Sequence, residues 1–184
     1  MDQLQKLNIC LNNIGHFSEE DIALLYHFGY IYTYKKNDYI LNENQVCDCL
    51  FFILSGACYQ YLKEDIEEKI QELYIAFDCA LDSVSFINQE PSKVKIKAFN
   101  DCEILVLNID SIHRLIQKSN VFLQLGKLMN PHDRLLFFDN SMNPSQKYNH
   151  ILTNKPTLLK IFPLKYIASY LKITPETLSR VRAK

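Results

Sequence analysis

The chain has 184 residues, 48% of them hydrophobic and 22% charged, with a formal net charge of −1. That is ample apolar material for one large domain or two small ones. It contains no apolar run of about 18 residues, and its start (MDQLQKLNIC) lacks the charged-then-apolar layout of a leader, so a soluble, cytoplasmic protein without a membrane span is expected.

In that compartment the six cysteines read as reduced thiols rather than a disulfide framework. Only four glycines occur, and neither a Walker loop nor a dinucleotide fingerprint is present. No HExxH, GxSxG or nucleophile–base constellation stands out, so no enzymatic activity is expected. The near-neutral total hides a divided chain. Residues 145–184 hold eight Lys/Arg and one Glu, a formal +7, whereas residues 1–144 hold twelve Lys/Arg and twenty Asp/Glu, a formal −8.

In chain order, Ser18 followed by Glu19, Glu20 and Asp21 reads as an N-cap with an acidic first turn, opening a helix through about Phe28. From Tyr30 the pattern changes to short β-prone runs separated by polar residues: Tyr30–Tyr34, Tyr39–Leu41, Leu50–Leu54, Ala57–Leu62, Ile70–Phe77, Val94–Phe99 and Ile104–Leu107. Short strands at such intervals predict a sandwich or barrel-like β domain. Asp110 then caps an expected helix with Ile112, Leu115, Ile116, Phe122, Leu123, Leu125 and Met129 on its apolar face. Pro131 predicts a break, because a proline suits the first turn of a new helix but not the interior of an old one. A second helical piece is expected from Pro131 to about Phe138, and Asp139–Pro144 is the best linker candidate.

The last twenty residues are the most informative. Ile167, Leu171, Ile173, Leu178 and Val181 are the apolar positions of two short helices packed across a tight turn, with Ala168 allowing close approach. Thr174 is a good N-cap and Pro175 suits the first helical position. With Leu178 and Val181 turned inward, Glu176, Ser179, Arg180 and Lys184 project outward. A helix-turn-helix presenting that edge in a basic segment points to DNA. The alternative is a structural hairpin whose Glu176 and Arg180 form a surface ion pair. Lys172 occupies the turn position where glycine is preferred, at a cost of roughly 1 kcal/mol in a left-handed conformation; it can also touch the DNA backbone.

A β domain, a connecting helix and a terminal helix-turn-helix, in this order, resemble the cyclic AMP receptor/fumarate-nitrate regulator superfamily of bacterial transcription factors. The resemblance rests on residues 50–56 (LFFILSG), 85–98 (SFINQEPSKVKIKA) and 163–182 (PLKYIASYLKITPETLSRVR), and Pro91-Ser92 with the last segment look most like the branch common in Bacteroidetes. It implies an α+β fold: a double-stranded β-helix (jelly-roll) sensor over residues 1–109, a connecting, dimerising helix region over 110–142 and a helix-turn-helix over 143–184; the chain departs from the family in the break near Pro131 and in lacking the wing that usually follows the recognition helix. It further implies a homodimer on a two-fold site in double-stranded DNA, with RNA polymerase as a further partner. Carried over position by position, Glu176 and Arg180 fall on the principal base-reading places, where arginine suits guanine and glutamate suits cytosine. Thr174, Thr177, Ser179, Lys172, Arg182 and Lys184 fall on or beside backbone-contacting places. Without a wing, fewer phosphate contacts are expected per subunit, which makes dimerisation more important.

The ligand cassette departs from the family. Its Gly-Glu pair corresponds here to Leu81-Asp82, and its arginine place to Ser92-Lys93. The bidentate phosphate fork is absent, and lysine offers only a point charge. Cyclic nucleotide binding and any cofactor are therefore not expected. Asp82, Ser92 and Lys93 are the residues left to line a pocket for an unknown small-molecule effector. Lys93, Lys95 and Lys97 alternate on one strand and read as a solvated face. Cys47-Asp48-Cys49, Cys58, Cys10, Cys79 and Cys102 match neither an iron–sulfur nor a usual zinc spacing, so no metal site is expected. His113 and His132 read as helix-surface residues. Two other readings compete: a ligand-binding module whose helical tail makes protein contacts, and a cysteine-based redox or metal sensor.

Overall fold

The computed structural model describes residues 1–65, 67–129 and 142–183. All seven expected strands form, the first two with the expected ends and the others with shifted ones: β1 (Tyr30–Tyr34), β2 (Tyr39–Leu41), β3 (Cys49–Ser55), β4 (Ala57–Glu64), β5 (Glu67–Ile75), β7 (Lys95–Ala98) and β8 (Cys102–Asn108). A two-residue strand, β6 (Cys79–Ala80), pairs with β3 and is too short to carry a sequence period. The strands make two four-stranded sheets, ordered β1-β8-β3-β6 and β2-β7-β4-β5. Two facing sheets with these non-sequential neighbours form a jelly roll, and the whole is α+β. Leu50, Phe52, Ile53 and Leu54 of β3 and Ile104, Leu105 and Leu107 of β8 belong to the main core, with Ile96 from the second sheet.

Gly56, at φ +89°, turns β3 into β4; a Cβ there would lie 2.4 Å from the Asp101 carbonyl oxygen. The α2 helix (Glu19–Phe28) starts as expected, Ser18 and Asp21 forming a reciprocal capping box. An unanticipated helix, α1 (Gln3–Asn12), precedes it, begun by a second capping box of Asp2 and Gln5 and buried through Leu7, Cys10 and Leu11. The signal was present as Asp2-x-x-Gln5 before an i, i+4 apolar pair. Another unanticipated helix, α3 (Ser83–Asn88), ends at Gln89 in the left-handed region.

The expected helix from Asp110 through Met129 requires correction. Its cap is Asn108, whose side chain accepts from the Ser111 amide at 2.8 Å, and α4 (Ile109–Lys118) stops after Lys118. Ser119 is extended (φ −153°, ψ 129°), and Asn120–Met129 continues as a 3-10 helix that buries Phe122 and Leu125. Redirecting the chain at Ser119 lets both apolar segments reach the same core. The expected break at Pro131, the helical piece to Phe138, His132 and the first half of the linker lie outside the described residues, and the linker's last residue, Pro144, already belongs to a helix.

Four helices close the chain: α5 (Pro144–Asn154), α6 (Leu158–Ile161), α7 (Leu164–Tyr170) and α8 (Pro175–Arg182). Asn143 and Gln146 form a capping box at the start of α5, with Pro144 in the first turn. These helices do not have a core of their own. Ile151, Leu158, Phe162, Ile167, Leu171 and Leu178 join Tyr59, Tyr61, Ile70 and Leu73 of the second sheet in one cluster. An aromatic seam runs through it, with ring centroids 5.1 Å apart for Tyr59–Tyr166, 5.5 Å for Phe99–Tyr166 and 4.7 Å for Phe99–Phe162. Such offset and edge contacts contribute about 0.5–1.5 kcal/mol each beyond area burial.

Lys172 has φ 56°, so the unfavourable turn residue does adopt the left-handed conformation. The amide of Ile173 donates to Ala168 O and that of Lys172 to Ser169 O, both at 3.0 Å, the hydrogen-bond pair of a Schellman cap. Replacing Lys172 by glycine removes the Cβ penalty while keeping both bonds. Lys172→Gly is expected to gain up to about 1 kcal/mol of stability, read as a higher urea midpoint with an unchanged slope.

Candidate functional site

The α7–α8 pair places the candidate reading residues by ordinary capping chemistry. Thr174 accepts from the Thr177 amide at 3.2 Å, and its hydroxyl donates to the Thr177 hydroxyl at 3.1 Å. Ile167, Ala168, Leu171 and Leu178 are buried between the helices. Glu176, Ser179, Arg180, Arg182 and Lys172 are exposed, and Thr177 is half-buried. Arg180 reaches back to the Thr177 hydroxyl at 3.4 Å, on the same helix edge. The helix N-terminal backbone amide and then the Thr174 hydroxyl hold the Glu176 carboxyl below the usual range, with Arg180 adding to the effect. Glu176 is thus an anion at neutral pH beside a fixed guanidinium. Lys184 lies outside the described residues.

Two other lysines of the basic segment, Lys147 and Lys155, are engaged within the fold. Lys147 on α5 donates to the Leu171 carbonyl at 3.2 Å, satisfying an acceptor at the end of α7. Lys155, past the end of α5, bonds both carboxylate oxygens of Asp78 at 3.2 and 3.3 Å, tying the helices to the β5–β6 connection. At the opposite end of the contact the Ile70 amide donates to the Ser169 hydroxyl at 3.0 Å. Sequence reasoning singled out none of these three ties, because each joins residues about 25 to 100 positions apart with no local signature.

The three candidate pocket residues separate. Asp82 and Ser92 meet inside the β domain, 8% and 2% exposed, and the Ser92 hydroxyl donates to an Asp82 carboxylate oxygen at 2.7 Å. Lys93 is exposed and does not enter this contact. The other Asp82 oxygen accepts from the amides of Val84 and Ser85 at 3.2 and 3.3 Å, capping α3. These backbone donors and Ser92 therefore already engage a carboxylate supplied by the chain. Nearby, the Tyr74 hydroxyl lies 2.9 Å from Gln60 Oε1, adding a second buried polar contact. Lys95 pairs with Glu43 at 3.2 Å and Lys97 stands 5.3 Å over the Tyr39 ring, so those two lysines have local partners.

The six cysteines are free thiols, four of them buried. Burial pushes Cys10 up to about 12, Cys47 to about 11 and Cys102 to about 11, and also raises Cys49 and Cys58. Cys47 bonds the Cys49 carbonyl rather than sharing a ligand position with it. Among the described residues no group of three or more His, Cys, Asp or Glu side chains is arranged to hold a metal ion.

Comparison with known proteins places this geometry. Residues 32–119 match the cyclic nucleotide-binding domain family. A CooA mutant from Carboxydothermus hydrogenoformans superimposes with a TM-score of 0.67 at 18% identity, over 96% of this chain and 82% of that one. The catabolite activator protein of Thermus thermophilus gives 0.58 at 16% identity, over 95% and 85%. FixK2 from Bradyrhizobium japonicum gives 0.59 at 16% identity, over 84% and 83%. No curated protein matches the chain. The fold is therefore the one these three proteins share, with a cyclic nucleotide-binding-like roll at residues 32–119. No helix among the described residues is long and apolar enough to cross a membrane.

Two measurements probe this interior. Asp82→Ala removes the α3 cap and leaves the buried Ser92 hydroxyl one partner short, an expected loss of about 1–3 kcal/mol in urea unfolding. The raised thiols also have a sign. A thiol whose value lies above pH exposes less thiolate, so Cys10, Cys47, Cys49, Cys58 and Cys102 should resist iodoacetamide at neutral pH in the folded protein and react once it is unfolded. Mass spectrometry after brief labelling reads both states.

Proposed function

We propose that this chain is a sequence-specific DNA-binding transcriptional regulator that acts as a homodimer. In this reading residues 1–109 are the sensor, 110–142 the connecting and dimerising region, and 143–184 a helix-turn-helix reader. The observation that carries it is the α7–α8 pair: a Schellman turn and a Thr174 cap fix a short helix whose Glu176, Ser179 and Arg180 edge is exposed in a segment of formal charge +7. Arg180 and Glu176 are the base-reading residues, able to address guanine and cytosine edges in the major groove. Lys172, Thr174, Thr177, Ser179, Arg182 and Lys184 serve the backbone.

An apolar groove of about 370 Å³ between α3, α4 and the 3-10 helix supports self-association. Ile87 and Leu123 on its rim are 55% and 60% exposed. In a dimer the two reading helices would enter successive major grooves about 34 Å apart. The Asp82–Ser92 contact supports a sensor that takes no cyclic nucleotide, because the cradle for an anionic group is occupied by the chain's own carboxylate. An effector, where there is one, has other chemistry, and neither a cofactor nor catalysis forms part of this function.

Unbiased selection of bound duplexes from a random pool should return a two-fold symmetric motif. On that site Arg180→Ala should weaken binding by about 1–3 kcal/mol and relax specificity at one base pair per half-site. Fluorescence anisotropy reads the affinity; equal binding of both proteins to every duplex would remove DNA reading as the function.

A further inference from the structure

Next to the aromatic seam, whose Tyr166 lines it, β5 and the α7–α8 turn form the walls of an open groove of about 920 Å³. One wall carries Glu67 and Glu68, with Lys69 of the same strand neutralised by Glu64. The other carries Lys165, Lys172, Thr174 and Pro175, the last two opening α8. The two walls are of opposite charge. Among the described residues no ion pair engages Glu67, Glu68, Lys165 or Lys172, while the neighbouring Lys69 is paired with Glu64.

The acidic wall is fixed in place. The Glu68 carboxylate accepts from the Tyr59 hydroxyl at 3.3 Å, and the Tyr59 ring packs edge-on against Tyr166 of α7. Two residues along the strand, the Ile70 amide donates to Ser169 of the same helix. β4 adds Glu64 beside Glu67 in the strand pairing, with Asp65 following. The lysines and the amide end of α8 are where a helix of this kind meets phosphate. The strand therefore holds carboxylates in the space beside which a DNA backbone would run.

From this we infer that the acidic end of β5 is an intramolecular competitor for DNA phosphate, which weakens DNA binding while the helical unit stays docked on the sheet. The inference rests on the DNA-reading function proposed above. Charge repulsion between Glu67 or Glu68 and an incoming phosphate disfavours the complex, and their attraction to Lys165 and Lys172 favours the docked state. Any event that turned the Glu67–Glu68 end of β5 out of the groove while the shared core stayed packed would relieve both effects, which couples the sensor sheet to the reader without a ligand touching α8.

The test compares wild type, E67Q/E68Q and a remote control, E19Q/E20Q, which removes the same charge from the exposed start of α2. Affinity for one mixed-sequence DNA duplex is measured at low and at high salt. At low salt E67Q/E68Q should bind roughly fivefold tighter than wild type, as expected for two charges close to phosphate in a watery groove. E19Q/E20Q should stay within about twofold, and the advantage should shrink as salt screens it. Equal gains for both double variants, or no gain for E67Q/E68Q, would overturn the inference and leave DNA reading intact. Binding by wild type to the duplex establishes the reader separately; binding by no variant overturns both.

Discussion

The contact on which the rest of this structure depends is the aromatic seam between the second sheet and the terminal helices. Helices of four to eleven residues are too short to be stable alone in water. Here Phe162 and Tyr166 pack on Phe99 and Tyr59, and Ile151, Leu158, Ile167 and Leu178 complete the same cluster. The helices therefore draw their core from the outer face of the roll. That makes the helical unit a dependent of the sheet, held by one apolar surface and by polar ties at Ser169 and Lys155.

The interior of the roll shows the same economy in polar groups. Asp82 serves at once as the cap of α3 and as the partner of Ser92, so a candidate ligand position is committed to the fold. A carboxylate in a buried place must be fully hydrogen-bonded to be tolerated. Two backbone amides and a hydroxyl meet that requirement. The thiols are settled in the opposite way: burial leaves them weakly acidic, as packing groups with little thiolate.

Much of this was legible from residues alone. The strand runs declared themselves through Tyr, Phe and Ile enrichment, and the Thr174-Pro175 start and Lys172 turn were read correctly because each depends on local capping and backbone preference. The misses have equally specific causes. α1 is marked in the sequence only by its Asp2–Gln5 box, and β6 is too short for any period. The apolar stretch after Asn108 looked continuous because Phe122 and Leu125 keep a helical spacing; the break at Ser119 is decided by tertiary packing. Of the pocket residues, Asp82 and Ser92 come together across ten positions, while Lys93, adjacent in sequence, points elsewhere. Proximity of Glu67 and Glu68 to the α8 end had no sequence signal at all, since it is created by docking.

The engagement of Lys147 and Lys155 changes what the basic tail is worth in solution. Binding a polyanion gains entropy from counterions released at each phosphate neutralised, so the salt sensitivity counts cations that reach the partner and ignores those that do not. Lys147 is turned to a carbonyl at the end of α7, and Lys155 to the Asp78 carboxylate. The formal charge of residues 145–184 therefore overstates the number of ions a polyanion could displace, and binding of the kind proposed would be less sensitive to salt than the composition suggests.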